Sequence, residues 1–210
     1  MKSQLKNAQR GYSLIELSIA LAIIGVVIAG SIIGVQSILR ANNVNKTISQ
    51  TNNAVNRIVA KLARDNTYNN ANTANLSTAN MNIWEDDSIV RPAAGAAGAA
   101  QVNHPFGNNV FVTPLGGAVG QFEIDPGQAY AYTLTGIPVA ACSDLAVGLE
   151  GLGVGLSITN QAPPAAGPQN GVIPATIIKQ PGIPFNSANA AAACNGAVQT
   201  ATISLLVPRR

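Results

Sequence analysis

One carboxylate stands out for where it lies. Glu16 falls just inside an apolar run from Leu14 to Leu39, and no other charge interrupts that run. A carboxylate at the centre of a lipid-embedded helix costs roughly 2.5–3.5 kcal/mol even on insertion scales. A charge kept there needs a partner of opposite sign, so its natural chemistry is ion pairing with a cation. Other reactive groups are sparse. His104 is the single histidine, which excludes a histidine-rich metal site. Glu85-Asp86-Asp87 is a short acidic run, and Asp125 and Asp144 are isolated carboxylates. None has the spacing of a calcium loop. The glycines between Gly148 and Gly155 do not form a GxGxxG opening a helix, so no phosphate cradle is expected. No nucleophile–base constellation is present, and the sequence predicts neither an enzyme nor a cofactor.

The elements that must position Glu16 follow from hydropathy. Leu17 to Leu39 carries no charge, and a bilayer core is spanned by roughly 20 apolar residues in a helix. Lys2, Lys6 and Arg10 precede the run, and Gly11 closes this basic leader. A cleavable secretory signal has a shorter apolar core, about 7–15 residues, followed by a small-residue cut site. A plain signal anchor fits the length but gives Glu16 no role.

A third reading accounts for all these residues. Gly11-Tyr12-Ser13-Leu14-Ile15-Glu16 resembles the processing site of type IV prepilins: a short basic leader ending in Gly, an apolar or aromatic first mature residue, and Glu as the fifth. The resemblance implies cleavage by a prepilin peptidase between Gly11 and Tyr12 on the cytoplasmic side, and methylation of the new amine on Tyr12. Phe is commoner in that family at the position of Tyr12. In a bundle of such helices the Glu16 carboxylate can meet the Tyr12 amine of a neighbour. That pairing offsets the burial cost and fixes the axial stagger, as buried polar groups fix register in coiled coils.

Charge divides along the chain. The leader's three basic residues account for the whole formal charge of +3, so the basic pI belongs to the precursor and gives little support to nucleic-acid binding. Arg40, Lys46, Arg57, Lys61 and Arg64 follow the apolar run, opposed there only by Asp65. Most acidic residues lie further on. Pairing of basic stem with acidic head between subunits, or a simply solvated helix face, both fit. Cys142 and Cys194 follow the membrane segment. With the leader in the cytoplasm they reach an oxidising compartment, where one disulfide can form. Closing a loop of about 53 residues stabilises by roughly 4 kcal/mol from chain entropy. Two free thiols are the alternative.

Periodicity predicts a helix from Tyr12 to about Arg64, near 80 Å long at ~1.5 Å per residue. Its first half is apolar all round. Its second half carries the stripe Val44, Ile48, Val55, Ile58, Val59 and Leu62. Gly25, Gly30 and Gly34 lower helix propensity. Gly30 and Gly34 also form a small-xxx-small pattern for close helix approach. Many pilins have a proline in this part of the stem; here flexibility would come from the glycines. Asn66 to Asn82 and Ala93 to Ala100 read as loops, with Ile83-Trp84 an anchor between them. Three strands are expected at Asn109–Thr113, Val119–Ile124 and Ala129–Leu134, with turns at Pro114/Gly116-Gly117 and Asp125-Pro126-Gly127. A helix bearing Cys142, Leu145 and Leu149 follows. Weaker strands are predicted at Val154–Thr159 and Val172–Lys179, around a loop at Gln161–Pro164, and a last strand spans Gln199–Val207. Metal binding needs more ligands than His104, which has no obvious partner for it.

The expected fold is therefore α+β: a long N-terminal helix packed on an antiparallel sheet, with a C-terminal disulfide loop. The organisation is leader 1–11, apolar half-helix 12–39, amphipathic half 40–66 and globular head 67–210. The order of head elements resembles type IVb-like pilins, as does His104-Pro105-Phe106-Gly107-Asn108, whereas the short leader and Tyr12 fit the type IVa habit. The resemblance implies a fibre subunit, a homopolymer of itself. It would wait in the inner membrane and be handled by the peptidase and a pilus assembly platform. A pseudopilin of a type II secretion system shares the same stem. A membrane-anchored periplasmic binding protein or enzyme is the reading from another class.

Overall fold

The structure is a computed structural model that describes residues 13–65, 67–78, 80–91, 100–119, 122–160, 176–196 and 198–209. The chain divides into two compact units, Met1–Arg40 and Ala41–Arg210. Helix α1, Leu14–Leu62, contributes to both. In the first unit every described residue is exposed. The helix runs through Gly25, Gly30 and Gly34 without interruption.

The second unit is an antiparallel sheet with helices. Its strands are β1 (Ile89–Val90), β2 (Gln101–Asn103), β3 (Asn109–Val119), β4 (Phe122–Pro138), β5 (Gly155–Thr159), β6 (Thr176–Lys179) and β7 (Thr200–Pro208). The sheet order is β1-β2-β3-β4-β7-β5-β6. Helices α2 (Thr73–Leu76), α3 (Val139–Leu149) and α4 (Ser187–Cys194) complete it. From Ala41 on, α1 buries Val44, Thr47, Thr51, Ala54, Val55, Ile58 and Leu62. Its apolar members share one core with Tyr130, Tyr132 and Leu134 of β4, Ile203 and Leu205 of β7, and Leu145 and Leu149 of α3. The buried stripe is therefore part polar. Thr47 turns its hydroxyl back onto the Asn43 carbonyl at 2.8 Å, while Ile48 and Val59 are only half-buried at its edge.

The expected three-strand meander is corrected to two long strands. Val119 pairs with Phe122, and the ladder continues through both sets of turn residues. Leu115 pairs with Ala129 and Gly117 with Ile124, so Asp125-Pro126-Gly127 forms a bulge in β4 and does not reverse the chain. Gly127 supplies the positive φ of 79° that this bulge needs. A Cβ on Gly116 would sit 3.0 Å from Pro126 Cα, so the facing strand also needs a glycine. Pro114 is tolerated because β3 pairs there only with β4, at Tyr130, and its other side needs no N–H.

The described residues of the predicted loop Asn66 to Asn82 are more ordered than a plain loop. Tyr68, Ala71 and Leu76 are buried, and the Asn72 side chain caps α2 by accepting from Asn75 N–H at 2.9 Å. Val112 N–H donates to Thr73 Oγ1 at 2.7 Å, which satisfies the otherwise open edge of β3. The short strands β1 and β2 at one end of the sheet lie outside the predicted set, because two or three residues show no periodicity. The remaining strands, the anchor Trp84 and helix α3 fall close to expectation. Residues 93–99 of the loop predicted at Ala93 to Ala100, the loop predicted at 161–164, and the first part of the strand predicted from Val172 lie outside the described residues.

Candidate assembly surfaces

Among the residues predicted to act, Gly11 and Tyr12 lie outside the described part of the chain. Glu16 occupies the first turn of α1, where the helix dipole favours an anion. It is exposed and has no ion-pair partner among the described residues. The large apolar side chains around it are uncovered around the whole circumference, from 52% exposure at Ile32 to 87% at Leu14. Ser18 and Ser31 spend their hydroxyls on the carbonyls of Ile15 and Val27, at 2.8 and 2.7 Å. The helix thus presents almost only hydrocarbon plus one carboxylate. By length and composition it is the one described helix able to cross a membrane. A Cβ placed on Gly25, Gly30 or Gly34 would meet nothing within 4 Å. These glycines are open notches on the helix surface.

Cys142 of α3 and Cys194 at the end of α4 form a disulfide with Cα atoms 5.8 Å apart, and both are buried. Asn160, just after β5, holds the segment that follows. Its amide nitrogen donates to the carbonyls of Cys194 and Val198 at 3.0 and 2.9 Å, and its oxygen accepts from Val198 N–H at 3.0 Å. No sequence signal marked Asn160, since its partners lie more than thirty residues away.

His104 is held by hydrogen bonds within the head. It is 3% exposed. Phe106 N–H donates to Nδ1 at 3.3 Å, so Nε2 carries the proton and donates to the Thr135 carbonyl at 2.8 Å. Burial pushes the imidazole below the usual histidine range, and the Thr135 bond opposes this in part. The ring is a neutral clasp joining the β2–β3 turn to β4. That turn closes through His104 N–H to Asn108 O at 3.0 Å and a positive φ at Gly107. Deeper in, Trp84 Nε1 donates to Tyr132 Oη at 3.2 Å, and burial pushes the Tyr132 phenol up to about 12. Among the described residues no three His, Cys, Asp or Glu side chains converge to hold a metal.

Residues 6–32 match the family described as Prokaryotic N-terminal methylation motif. No curated protein matches the chain. Two solved structures are similar in fold. TcpA, a type IV pilin from Vibrio cholerae El Tor biotype, aligns with a TM-score of 0.53 at 18% identity, over 79% of this chain and 98% of that one. The type IVb pilin from Salmonella typhi aligns with a TM-score of 0.50 at 14% identity, over 78% of this chain and 99% of that one. The chain thus carries the prepilin-type methylation motif at its N-terminus and has the fold of type IV pilins.

Proposed function

We propose that this chain is the structural subunit of a type IV pilus, made as a prepilin and polymerised through its N-terminal helix. The observation that carries the reading is the conjunction of the methylation motif over residues 6–32 with a pilin fold and a wholly uncovered apolar stem. In the precursor the stem sits in the inner membrane as a single span, leader in the cytoplasm and head in the periplasm. A prepilin peptidase cuts after Gly11, and the Tyr12 amine is methylated. An assembly platform then draws the stem out of lipid.

In the filament, stems bury one another. Hydrocarbon once covered by lipid is covered by neighbouring helices, and Gly30 and Gly34 give them room to approach. Glu16 pairs with the Tyr12 amine of a neighbour, so one stagger neutralises both charges. Heads coat the outside, where they serve adhesion, aggregation or DNA transfer. The subunit works by packing and charge pairing. It needs no cofactor and performs no catalysis.

The test is mass spectrometry and electron microscopy of material sheared from cells. Long filaments whose subunit begins at methylated Tyr12 are expected. Glu16→Ala is expected to leave membrane insertion intact and abolish filaments, and normal filaments from that variant would refute the pairing. Short periplasmic assemblies with the same processing would move the assignment to a secretion pseudopilin. An intact leader without filaments would leave a signal anchor.

A further inference from the structure

Within the second unit, one flank of α1 and two loop segments enclose an open groove of about 530 Å³. Asn43, Lys46, Gln50 and Arg57 form the helix wall, and Glu85 and Asp87 stand on the other. Arg57 is already engaged, donating to the carbonyls of Asn82 and Ile83 at 3.3 and 3.2 Å. Lys46, Glu85 and Asp87 are exposed, and none has an ion pair among the described residues. The acid between the last two, Asp86, is the one already paired, with Arg91 at 2.9 Å. The floor is also incomplete. Gln50 Nε2 donates to the Asn103 carbonyl at 3.0 Å, which leaves Gln50 Oε1 and Asn103 Oδ1 buried without a donor. Two carboxylates above two unserved amide oxygens ask for N–H donors carrying positive charge.

Among the described residues of this unit, few cations are available to supply them. Lys179 spends its ammonium on the carbonyls of Glu150 and Gly153. Lys61 and Arg64 are exposed and without an ion pair among the described residues. They stand three apart, Lys61 in the last turn of α1 and Arg64 in the turn that follows it, two cations for two carboxylates. Asp65 beside them matches Lys46 on the groove's opposite wall. A groove and a separate complementary patch on one molecule are what a heterologous contact requires, and such contacts build filaments when the rotation does not close.

We infer that in the polymer this groove receives the segment Lys61–Arg64, the last turn of α1 and the turn after it, from a second copy, Glu85 and Asp87 taking the two cations; this rests on the filament reading above. The test uses the full chain in its host. Glu85→Lys with Asp87→Lys is expected to cut sheared filament yield by at least about tenfold through like-charge repulsion, with membrane level and disulfide unchanged. Lys61→Glu with Arg64→Glu is expected to do the same, and combining all four changes restores filaments. Wild-type yield from the Glu85/Asp87 variant, or no restoration in the combination, overturns the inference. If charge variants fail to accumulate, Asp87→Cys with Arg64→Cys is treated with a short bis-maleimide in assembled filaments. A crosslinked ladder supports the contact, and monomer alone overturns it. Unchanged filaments that no longer bind cells would assign the groove to an outside ligand and also overturn it. Absence of filaments in the wild type would instead refute the filament reading itself.

Discussion

Removing the disulfide should cost this protein much of its head stability. The perturbation is Cys142→Ala with Cys194→Ala. The two cysteines are 52 residues apart in sequence. In the chain-entropy treatment a loop of that size restricts the unfolded chain by about 4 kcal/mol. Whole-domain stabilities are about 5–15 kcal/mol, so the loss is a large fraction. For a urea slope of about 2 kcal/mol per molar the unfolding midpoint falls by about 2 M. Trp84 is the readout: it is the single tryptophan, it is buried, and its indole donates to Tyr132 Oη. Unfolding therefore changes its fluorescence without a label. The assay is urea titration of the processed chain in mild detergent, with wild type and wild type under reductant alongside. The reduced wild type should fall with the double variant, because both lose the same cross-link. A midpoint shift below about 0.5 M, near 1 kcal/mol at that slope, would refute the reasoning. It would mean that the α3 and α4 packing around Cys142 and Cys194 already restrains the unfolded chain or carries the native state without the cross-link.

Two further outcomes follow from the head. His104 is held neutral, with its folded pKa below the ordinary value, so the unfolded chain takes up the proton first. Its contribution is whole above about pH 6.5 and is lost as pH falls from there toward the depressed folded value; urea midpoints of His104→Gln should vary less with pH than wild type between about pH 7 and 5, and equal slopes would argue against the clasp. Asn160→Ala removes bonds to Cys194 and Val198. At about 0.5–1.5 kcal/mol per bond, and more for a buried group left unpaired, the urea midpoint should report a loss of about 2–3 kcal/mol.

Local pattern carried the stem. Charge, glycine and hydropathy between Lys2 and Leu39 are contiguous, so a linear reading sees the motif and the apolar helix there. Helix α3 was legible for the same reason, since Cys142, Leu145 and Leu149 recur at helical spacing and are all buried. Pro114, Gly116 and Asp125-Pro126-Gly127 misled because turn chemistry and bulge chemistry use the same residues. Only the pairing of Leu115 with Ala129 and Gly117 with Ile124 separates the two.

The sequence by itself determined an apolar helix with one carboxylate in its first turn, a basic leader before it, and an α+β head with two cysteines. Those are local quantities of charge, hydropathy and spacing. Tertiary structure alone decided that the last strand lies between β4 and β5, that Asn160 clamps a turn some forty residues away, and that His104 bonds across to Thr135. It also decided that Gln50, Asn103, Glu85 and Asp87 border one groove. The physical reason is chain distance: each of these contacts joins segments with no shared period, and only folding brings them together.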